Sequence, residues 1–436
     1  MDEARSFATN QIHAGQVPDP TNGSISLPIF QTTAYQFRDT AHAAGLFALT
    51  EAGHSYTRLS NPTQEAVEQR IAVLEGGVAS LLVASGMAAT ALAIMNVAEQ
   101  GDHIVASRNI YGGIHNLLGF TLPRFGIQTT FVEDAHSLDS WKVAVRPNTK
   151  AFFGEGLSNP LGVCLDLEGI AEIAHDVGVP WIVDNTIATP YVTRPIDYGA
   201  DVVTHAASKF LSGHGSIIAG VIVDSGRFDY ARQPDRFPGF NLADPSYHDL
   251  VYAKDFGTGS AMGNVAYIVK ARAQLLRDLG PAISPFSAWL LAQGLETLSM
   301  RMRVHLENSQ QIAEWLAAHP QVVSVAYSGL ASSPWHANQL KYAPKGGGAV
   351  MSFEIDGGLE AGRRFVEGLR LFKHVANIGD VRSLVIHPAS TTHAQLGSEG
   401  RGKAGITDGM IRLSIGIEDL ADIRADLERG FLAARG

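Results

Sequence analysis

The segment from Asp201 to Gly220, DVVTHAASKFLSGHGSIIAG, has a single lysine, Lys209, between two apolar runs typical of buried strands. Small residues surround this lysine, among them Ser208 and Gly213. Burial lowers the pKa of a lysine amine, so part of it is neutral near pH 7 and able to form a Schiff base. A surface lysine in a glycine-rich loop would have the same pattern, and this segment alone does not separate the two interpretations.

A carboxylate on a second strand-like run provides a partner for this lysine. Asp184 lies in the run WIVDNTIATP, upstream of Lys209. An aspartate on one strand and a lysine after the next are what pyridoxal phosphate requires, because the amine binds the aldehyde carbon and the carboxylate binds the ring nitrogen. The pair therefore predicts a pyridoxal-phosphate site in which Lys209 is catalytic.

Two further segments contain groups suited to a phosphate. Ser85, Gly86 and Met87 stand where an apolar strand-like run meets a helical pattern. Free backbone N–H groups at a helix start bind anions and glycine allows close approach, although an ordinary strand-to-helix turn has the same residues. Tyr56 and Arg58, before the first clear helix, add a hydroxyl and a guanidinium, or else form a solvated surface pair.

An aromatic ring and a second guanidinium complete the candidate site. Tyr111, in NIYGGIH, follows a strand-like run; its ring could stack on a pyridine face and its hydroxyl could move protons, whereas simple packing is the alternative. Arg412, in MIRLSIGIE, lies on a late strand, where its fork of donors matches a substrate carboxylate. The alternative for Arg412 is an exposed strand residue without a substrate.

Three motifs, taken together, resemble the Cys/Met-metabolism family of pyridoxal-phosphate enzymes: Asp184-Asn185-Thr186, Ser208-Lys209 and Gly213-His214-Gly215. The resemblance extends over nearly the whole chain. It implies the type I, aspartate aminotransferase-like α/β fold, with a mostly parallel central sheet and a smaller C-terminal α/β domain. It also implies pyridoxal 5'-phosphate as the cofactor and favours the functional interpretation at each position above.

The resemblance implies a role for each candidate residue. Lys209 anchors the cofactor and moves protons, and Tyr111 stacks on the ring and takes part in catalysis. Arg412 binds the α-carboxylate of the substrate, and Asn377 also binds substrate. Ala206 replaces a serine that is common in the family, so one phosphate hydrogen bond is missing or is supplied by water. The other cofactor-binding residues are Ser85, Gly86, Met87, Asn159, Asp184, Thr186, Ser208, Tyr56 and Arg58.

The stretch from Ala376 to His393 distinguishes the branches of the family. Asn377-Ile378-Gly379 replaces the Ser-Leu-Gly of synthases and lyases and resembles the O-acetylhomoserine sulfhydrylases, as does ADPSYHDLVY from Ala243. Gly113 lies where lyases favour a cysteine. This branch implies γ-replacement on O-acetyl-L-homoserine by sulfide or methanethiol, which yields acetate and L-homocysteine or L-methionine. Cystathionine γ-synthase, O-succinylhomoserine sulfhydrylase and methionine γ-lyase activities remain alternatives, because these enzymes share the site.

The resemblance also implies an assembly of several chains. In the family, the tyrosine and arginine that match Tyr56 and Arg58 reach across a dimer interface to the neighbour's phosphate. The active site would therefore be shared between two chains of a homo-oligomer, and a homotetramer is expected with a dimer as the alternative. The remaining partners are small molecules, namely O-acetyl-L-homoserine and sulfide or a thiol.

The composition excludes several other classes of protein. The chain has 436 residues and a net charge of −10, which argues against nucleic acid and anionic membranes as partners. Cys164 is the only cysteine and cannot form an internal disulfide, and apolar runs long enough for a membrane span or a signal peptide are missing, so a cytoplasmic location is expected. The 16 histidines have no paired metal-ligand spacing, so no metal is expected.

The elements that position these residues fall into three predicted segments. Residues 1–60 are irregular and are expected to form an extended arm that lies on another surface. Regular structure begins at Asn61, which can cap a helix with Pro62 at its first position. Strand-like and helical segments alternate through residues 61–255, the predicted cofactor-binding domain, and residues 256–436 are expected to form a smaller C-terminal domain.

Overall fold

The computed structural model describes residues 5–391 and 405–436. Its larger β-sheet has seven strands, which are β1 (Ala79–Val83), β2 (His103–Ala106), β3 (Gln128–Phe131), β4 (Thr149–Glu155), β5 (Trp181–Asp184), β6 (Val202–His205) and β7 (Gly220–Asp224). Their order across the sheet is β1-β7-β6-β5-β4-β2-β3. β7 is antiparallel to β1 and β6, and the other neighbouring pairs are parallel. The predicted mostly parallel sheet is therefore confirmed.

The central strands are apolar because both faces of this sheet are covered. β2, β4, β5, β6 and β7 are buried along their whole length, without the alternation of a sheet that faces water. β7 begins at Gly220, although the apolar pattern starts at Ile217. The Ser208 hydroxyl bonds both the backbone N–H and the C=O of the preceding residue, Ala219. Residues 217–219 therefore belong to the loop that contains Lys209, residues 206–219 (the lysine loop), and not to the sheet.

Seventeen α-helical segments occur in the described residues, several of them a single turn. They are α1 (Phe7–His13), α2 (Thr40–Phe47), α3 (Pro62–Glu75), α4 (Gly86–Met95), α5 (Gly112–Asn116), α6 (Leu138–Val143), α7 (Leu167–Asp176), α8 (Thr189–Val192), α9 (Pro238–Asn241), α10 (Tyr252–Asp255), α11 (Ala266–Lys270), α12 (Arg277–Leu279), α13 (Pro285–Leu295), α14 (Leu298–Ala317), α15 (His336–Tyr342), α16 (Gly358–Gly368) and α17 (Leu420–Ala434). Two π-helical turns extend them, Leu117–Thr121 after α5 and Ala271–Leu276 between α11 and α12.

Helix α3 begins and ends where its sequence predicts. The Asn61 side chain accepts the Thr63 N–H at 2.9 Å, and the chain leaves the helix at Gly76, whose φ of 78° lies in the left-handed region that glycine favours. Asn61 also donates to the Phe30 carbonyl, and the Thr63 hydroxyl donates to the Pro28 carbonyl. These bonds attach the middle of the N-terminal arm to α3 of its own chain.

The N-terminal arm is less extended than the sequence pattern indicates. It contains α1 and α2, and α1 packs against α3 and α14 of the same chain. The buried Gln11 side chain bonds the backbone of Glu296 and Ser299. Other arm residues have large apolar side chains in water, with Val17 77% and Ile25 81% exposed. The arm therefore lies partly on its own chain, and its exposed part is available to another surface.

A second, smaller sheet forms the C-terminal part of the chain. Its strands are β8 (Val322–Ala326), β9 (Val350–Ile355), β10 (Lys373–His374), β11 (Leu384–Ile386) and β12 (Met410–Ser414), in the order β10-β11-β12-β9-β8. Helices α16 and α17 pack against each other beside this sheet, where Phe353, Phe365 and Phe431 form an aromatic cluster. The expected smaller C-terminal α/β unit is confirmed.

The long helix α14 joins the two cores. Met302 and Leu306, in its first half, belong to the core of the larger sheet, whereas Ile312 and Leu316 belong to the core of the smaller one. The two hydrophobic cores therefore meet along one continuous helix. The division of the chain at residues 60 and 255 stays a prediction.

Candidate active site

A cleft with a volume of about 200 Å³ opens beyond the carboxyl ends of β4, β5 and β6, where the smaller sheet faces the larger one. Ligand sites of open parallel sheets form at this edge, because the loops that leave neighbouring strands meet there. The residues that line the cleft are Ser85, Gly86, Met87, Tyr111, Ile114, Glu155, Leu157, Asn159, Asp184, Thr186, Ile187, Ala206, Ser208, Lys209, Ala376, Asn377, Ile378 and Arg412. They include every predicted site residue except Tyr56 and Arg58.

Lys209 lies in the turn that follows β6, and its side chain reaches the smaller sheet's side of the cleft. Its Nζ donates to Oδ1 of Asn377. Burial lowers the pKa of the Lys209 amine, and the positive charge of Arg412 lowers it further. The structure therefore places in the cleft a lysine whose amine loses its proton more easily than usual. Carbonyl chemistry requires the deprotonated amine.

Asp184 is the last residue of β5, and its carboxylate is almost fully buried. Its Oδ1 accepts the Thr186 N–H at 2.9 Å, and its Oδ2 accepts from the Thr204 hydroxyl at 3.4 Å. Burial raises the pKa of this carboxyl group, whereas the bonds from Thr186 lower it. A buried carboxylate is costly without a positive partner, so Asp184 fits the role of holding a protonated ring nitrogen.

The start of α4 provides an anion site on the cleft wall. The Ser85 hydroxyl caps the helix by accepting the Ala88 N–H at 3.1 Å, and the preceding N–H groups have no partner within the helix. A Cβ at Gly86 would lie 2.5 Å from Cβ of Ala206, and a Cβ at Gly220 would lie 2.0 Å from the Ser85 carbonyl oxygen. The two glycines therefore bring the helix start against the lysine loop.

Two hydroxyl groups expected to bind the cofactor, those of Ser208 and Thr186, already form hydrogen bonds within the protein. Ser208 bonds both backbone groups of Ala219, and the Thr186 hydroxyl accepts the Ala206 N–H at 2.8 Å. Both side chains line the cleft, and both also hold the lysine loop in place. Ala206 offers no hydroxyl to the cleft, so the missing phosphate bond expected at this position stays a prediction.

Arg412 enters the cleft from β12 of the smaller sheet. Its Nη2 donates to the Asn377 carbonyl at 2.9 Å, and its Nη1 contacts Oδ1 of Asn159 at 3.5 Å. Burial lowers the pKa of this guanidinium to about 10. Its Nε is buried and has no hydrogen-bond partner among residues 5–391 and 405–436, which leaves one donor of the fork unsatisfied there.

Tyr111 and Asn159 are held by a residue that sequence reasoning missed. Glu155, the last residue of β4, accepts the Tyr111 N–H at 2.5 Å through Oε1 and the Asn159 N–H at 3.2 Å through Oε2. The Tyr111 side chain is half exposed and lines the cleft. The available signal was an acidic residue at the end of a buried strand in FFGEG, at the edge where ligands bind.

Tyr56 and Arg58 lie outside the cleft of their own chain. Arg58 donates to the Arg277 carbonyl, and its guanidinium carbon lies 5.4 Å from the centroid of the Tyr56 ring. The Tyr56 side chain is 42% exposed. Tyr56 is therefore exposed and Arg58 is partly buried against its own chain, and their predicted role at another chain's site stays a prediction.

The sheet order, with an antiparallel β7, together with a buried aspartate and a lysine at one cleft, defines the class of type I pyridoxal-phosphate enzymes. The donors fit this cofactor, because the cleft combines an amine, a buried carboxylate, a helix start and an aromatic ring. The chain belongs to the family of Cys/Met metabolism PLP-dependent enzymes, whose model matches residues 8–432.

Individual relatives agree with this family. The chain is 48% identical to O-acetyl-L-homoserine sulfhydrylase of Leptospira meyeri, over 96% of this chain and 95% of the relative. It is also 48% identical to the O-acetyl-L-homoserine sulfhydrylase of Corynebacterium glutamicum, over 98% of this chain and 97% of the relative. A crystal structure of an O-acetylhomoserine (thiol)-lyase from Campylobacter jejuni superposes with a TM-score of 0.92 at 41% identity, covering 98% of this chain and 100% of that one. That structure contains N'-pyridoxyl-lysine-5'-monophosphate.

The described residues offer neither a membrane-spanning helix nor a metal site. Residues 5–391 and 405–436 contain no helix long and apolar enough to cross a membrane. Within the same ranges, no three histidine, cysteine, aspartate or glutamate side chains are grouped so that they could hold a metal ion. The last two residues of the predicted branch-specific stretch, Thr392 and His393, lie outside the described residues.

Proposed function

We propose that this protein catalyses γ-replacement on O-acetyl-L-homoserine, with sulfide or methanethiol as the incoming nucleophile. The products are acetate and L-homocysteine or L-methionine. The observation that carries this proposal is the convergence of Lys209, Asp184 and Arg412 on one cleft, which offers an amine, a ring-nitrogen partner and a carboxylate partner. The relatives named O-acetyl-L-homoserine sulfhydrylase support the choice of substrate.

Pyridoxal 5'-phosphate fits this cleft, and we assign its binding to residues from four elements. The start of α4, with Ser208, would hold the phosphate, and Asp184 with its partner Thr186 would hold the ring nitrogen. Tyr111 would cover the ring, and Asn159 would bind its hydroxyl. When bound, the cofactor withdraws electrons from the bonds at Cα of an amino acid attached to its aldehyde carbon.

Lys209 is the proton carrier in this proposal. Its lowered pKa makes the amine easier to deprotonate, and the deprotonated Nζ can accept the proton from Cα of the substrate and move protons at Cβ. The Asn377 side chain accepts a hydrogen bond from this Nζ and thereby orients it. Acetate then leaves from Cγ, and the sulfur nucleophile adds to the same carbon.

Arg412 is the substrate anchor in this proposal. Its guanidinium has one unsatisfied donor, Nε, and the contacts to Asn159 and Asn377 fix the plane of the fork. A carboxylate bound there would hold the amino acid by the end away from Cγ, so acetate is free to leave from Cγ. Asn377 contacts both Lys209 and Arg412, which places it between the proton carrier and the substrate anchor.

We further propose that the active site is shared between chains of a homotetramer in the cytoplasm. Tyr56 is exposed, Arg58 is partly buried, and both lie outside the cleft of their own chain, which supports a role at a neighbouring site. The cytoplasmic assignment rests on the single cysteine, Cys164, which cannot form a disulfide within the chain.

The proposed function is tested with purified protein reconstituted with pyridoxal phosphate. O-acetyl-, O-succinyl- and O-phosphohomoserine are each supplied with sulfide, with cysteine and without a thiol, and the sulfur-containing products are measured. We expect the highest kcat/KM for O-acetylhomoserine with sulfide, and no turnover for Lys209→Ala. Preference for succinyl ester with cysteine would indicate a cystathionine γ-synthase instead, and rapid 2-oxo acid release without thiol would indicate a lyase.

A further inference from the structure

Glu155 joins two separate segments of the cleft wall. One carboxylate oxygen accepts the N–H of Tyr111, which follows β2 along the chain, and the other accepts the N–H of Asn159 in the loop after β4. The side chain itself is 5% exposed at the end of β4. A single buried carboxylate therefore fixes the distance between these two backbone positions.

The two segments that Glu155 holds carry side chains on the cleft. The ring of Tyr111 lies over Gly113, where a Cβ would be 2.5 Å from Cε1 of the tyrosine. Glycine at this position leaves room for the ring, and the bond from Glu155 fixes the backbone from which the ring projects. Asn159 extends its amide to Arg412 at 3.5 Å. A shift of Glu155 would therefore displace both the ring and the amide.

The electrostatic surroundings of Glu155 make its buried carboxyl group energetically costly, so packing alone does not explain this residue. It is paired in register with Asp184 across β4 and β5, so two carboxyl groups lie side by side in the buried wall. Burial raises the pKa of Glu155, the charge of Asp184 raises it further, and the two N–H donors lower it. Within the described residues, Glu155 forms no ion pair that would offset this cost.

We propose that Glu155 is a positioning residue, whose two oxygens hold the Tyr111 ring and the Asn159 amide in register at the cofactor cleft. This inference rests on the proposed function, because it concerns how tightly the same cleft binds pyridoxal phosphate. Glu155 acts by holding the two segments at the spacing that its two carboxylate oxygens set.

Two substitutions separate this role from a purely electrostatic one. Glu155→Gln keeps the length of the side chain but cannot accept two N–H bonds, because one end becomes a donor. Glu155→Asp keeps the charge but is one methylene too short to reach both N–H groups. We expect each variant to bind pyridoxal phosphate roughly tenfold or more weakly, since a lost hydrogen bond leaves a buried N–H donor unpaired. If only the charge of Glu155 mattered, the Glu155→Asp variant would bind pyridoxal phosphate with wild-type affinity.

The measurement is equilibrium binding of pyridoxal phosphate to the apoprotein, followed by protein fluorescence and by the visible spectrum. Glu68→Gln is the matched control, because Glu68 is a buried glutamate that accepts a backbone N–H, that of Leu82 at 2.8 Å, outside this cleft. We expect the control to bind pyridoxal phosphate like the wild type. Circular dichroism of each variant confirms that it is folded, and Glu155→Asp carries the test if Glu155→Gln does not fold.

A double-mutant cycle with Tyr111 shows whether Glu155 acts through the ring. In a Tyr111→Ala background, Glu155→Gln should weaken cofactor binding much less, because the ring that it positions is absent. Unchanged affinity in both Glu155 variants, or fully additive effects in the cycle, would overturn the inference and leave the proposed function standing. Failure of the wild-type apoprotein to bind pyridoxal phosphate would overturn the proposed function as well.

Discussion

At the scale of single residues, the cleft places two positive groups close together. Arg412 lowers the pKa of the Lys209 amine, and both side chains contact Asn377, one through its amide oxygen and one through its carbonyl. A pair of cations in a partly buried cleft favours an anionic ligand. A substrate carboxylate at Arg412 would therefore relieve a repulsion that the free protein contains.

Arg412→Lys should impair the use of substrate more than it impairs folding. An ammonium cannot reproduce two parallel bonds to a carboxylate, so we expect kcat/KM to fall about tenfold to a hundredfold, mainly through KM. Steady-state kinetics with O-acetylhomoserine and sulfide measure this change, with Arg429→Lys on the exposed side of α17 as the control. Unchanged kinetics would mean that the carboxylate is held elsewhere.

At the level of secondary structure, strand β7 ends in a buried carboxyl group whose ionisation is energetically costly. Asp224, its last residue, is 5% exposed, and its Oδ1 accepts the Gly226 N–H at 2.9 Å. Burial and, to a smaller extent, the charge of the neighbouring Asp201 together raise the pKa of Asp224 to about 7, although the Gly226 N–H lowers it. The folded protein thus binds this proton more tightly than the unfolded chain does, so the free energy of unfolding falls as pH rises from about 4 towards 7.

Asp224→Asn should remove this pH dependence. The amide oxygen can still accept the Gly226 N–H, whereas no charge is buried above pH 7. We expect the stability of the variant relative to wild type to increase by roughly 2–3 kcal/mol between pH 5 and pH 8, from about 1.4 kcal/mol per pKa unit. Denaturant unfolding at the two pH values measures the change. Asp229→Asn is the control, because Asp229 also accepts an N–H two residues on but is partly exposed.

For the molecule as a whole, the position of Arg58 outside the cleft of its own chain leads to a prediction about assembly. If Arg58 serves a neighbouring site, Arg58→Ala and Lys209→Ala should each be inactive alone and should regain activity when mixed and reassembled. Half of randomly mixed dimers are heterodimers, each with one intact site, so about a quarter of all sites should work.

The mixing experiment requires proof that subunits exchange. Native mass spectrometry of differently tagged chains gives this proof, and a mixture of Lys209→Ala with Lys209→Ala protein under two tags is the negative control. Exchanged mixtures that stay inactive would show that Arg58 serves its own chain or no site.

The sequence by itself determined the parts of this protein that depend on local chemistry. Asn61, Pro62 and Gly76 predicted both ends of α3, because caps and left-handed glycines act on adjacent backbone groups. Buried apolar runs that alternate with helical patterns predicted the mostly parallel sheet. The motifs around Lys209 and Asp184 predicted a cofactor cleft, and the structure brings these residues together.

Only the tertiary structure decided which distant segments meet. Glu155 bonds Tyr111 and Asn159 because β4 lies beside β2 and β5, and no local pattern shows that order. The position of α14 in both cores, and the contact of Asn377 with Lys209 across the two sheets, likewise depend on long-range packing. A sequence specifies caps and periodicity through near neighbours, whereas the partners of a buried polar group are chosen by the whole fold.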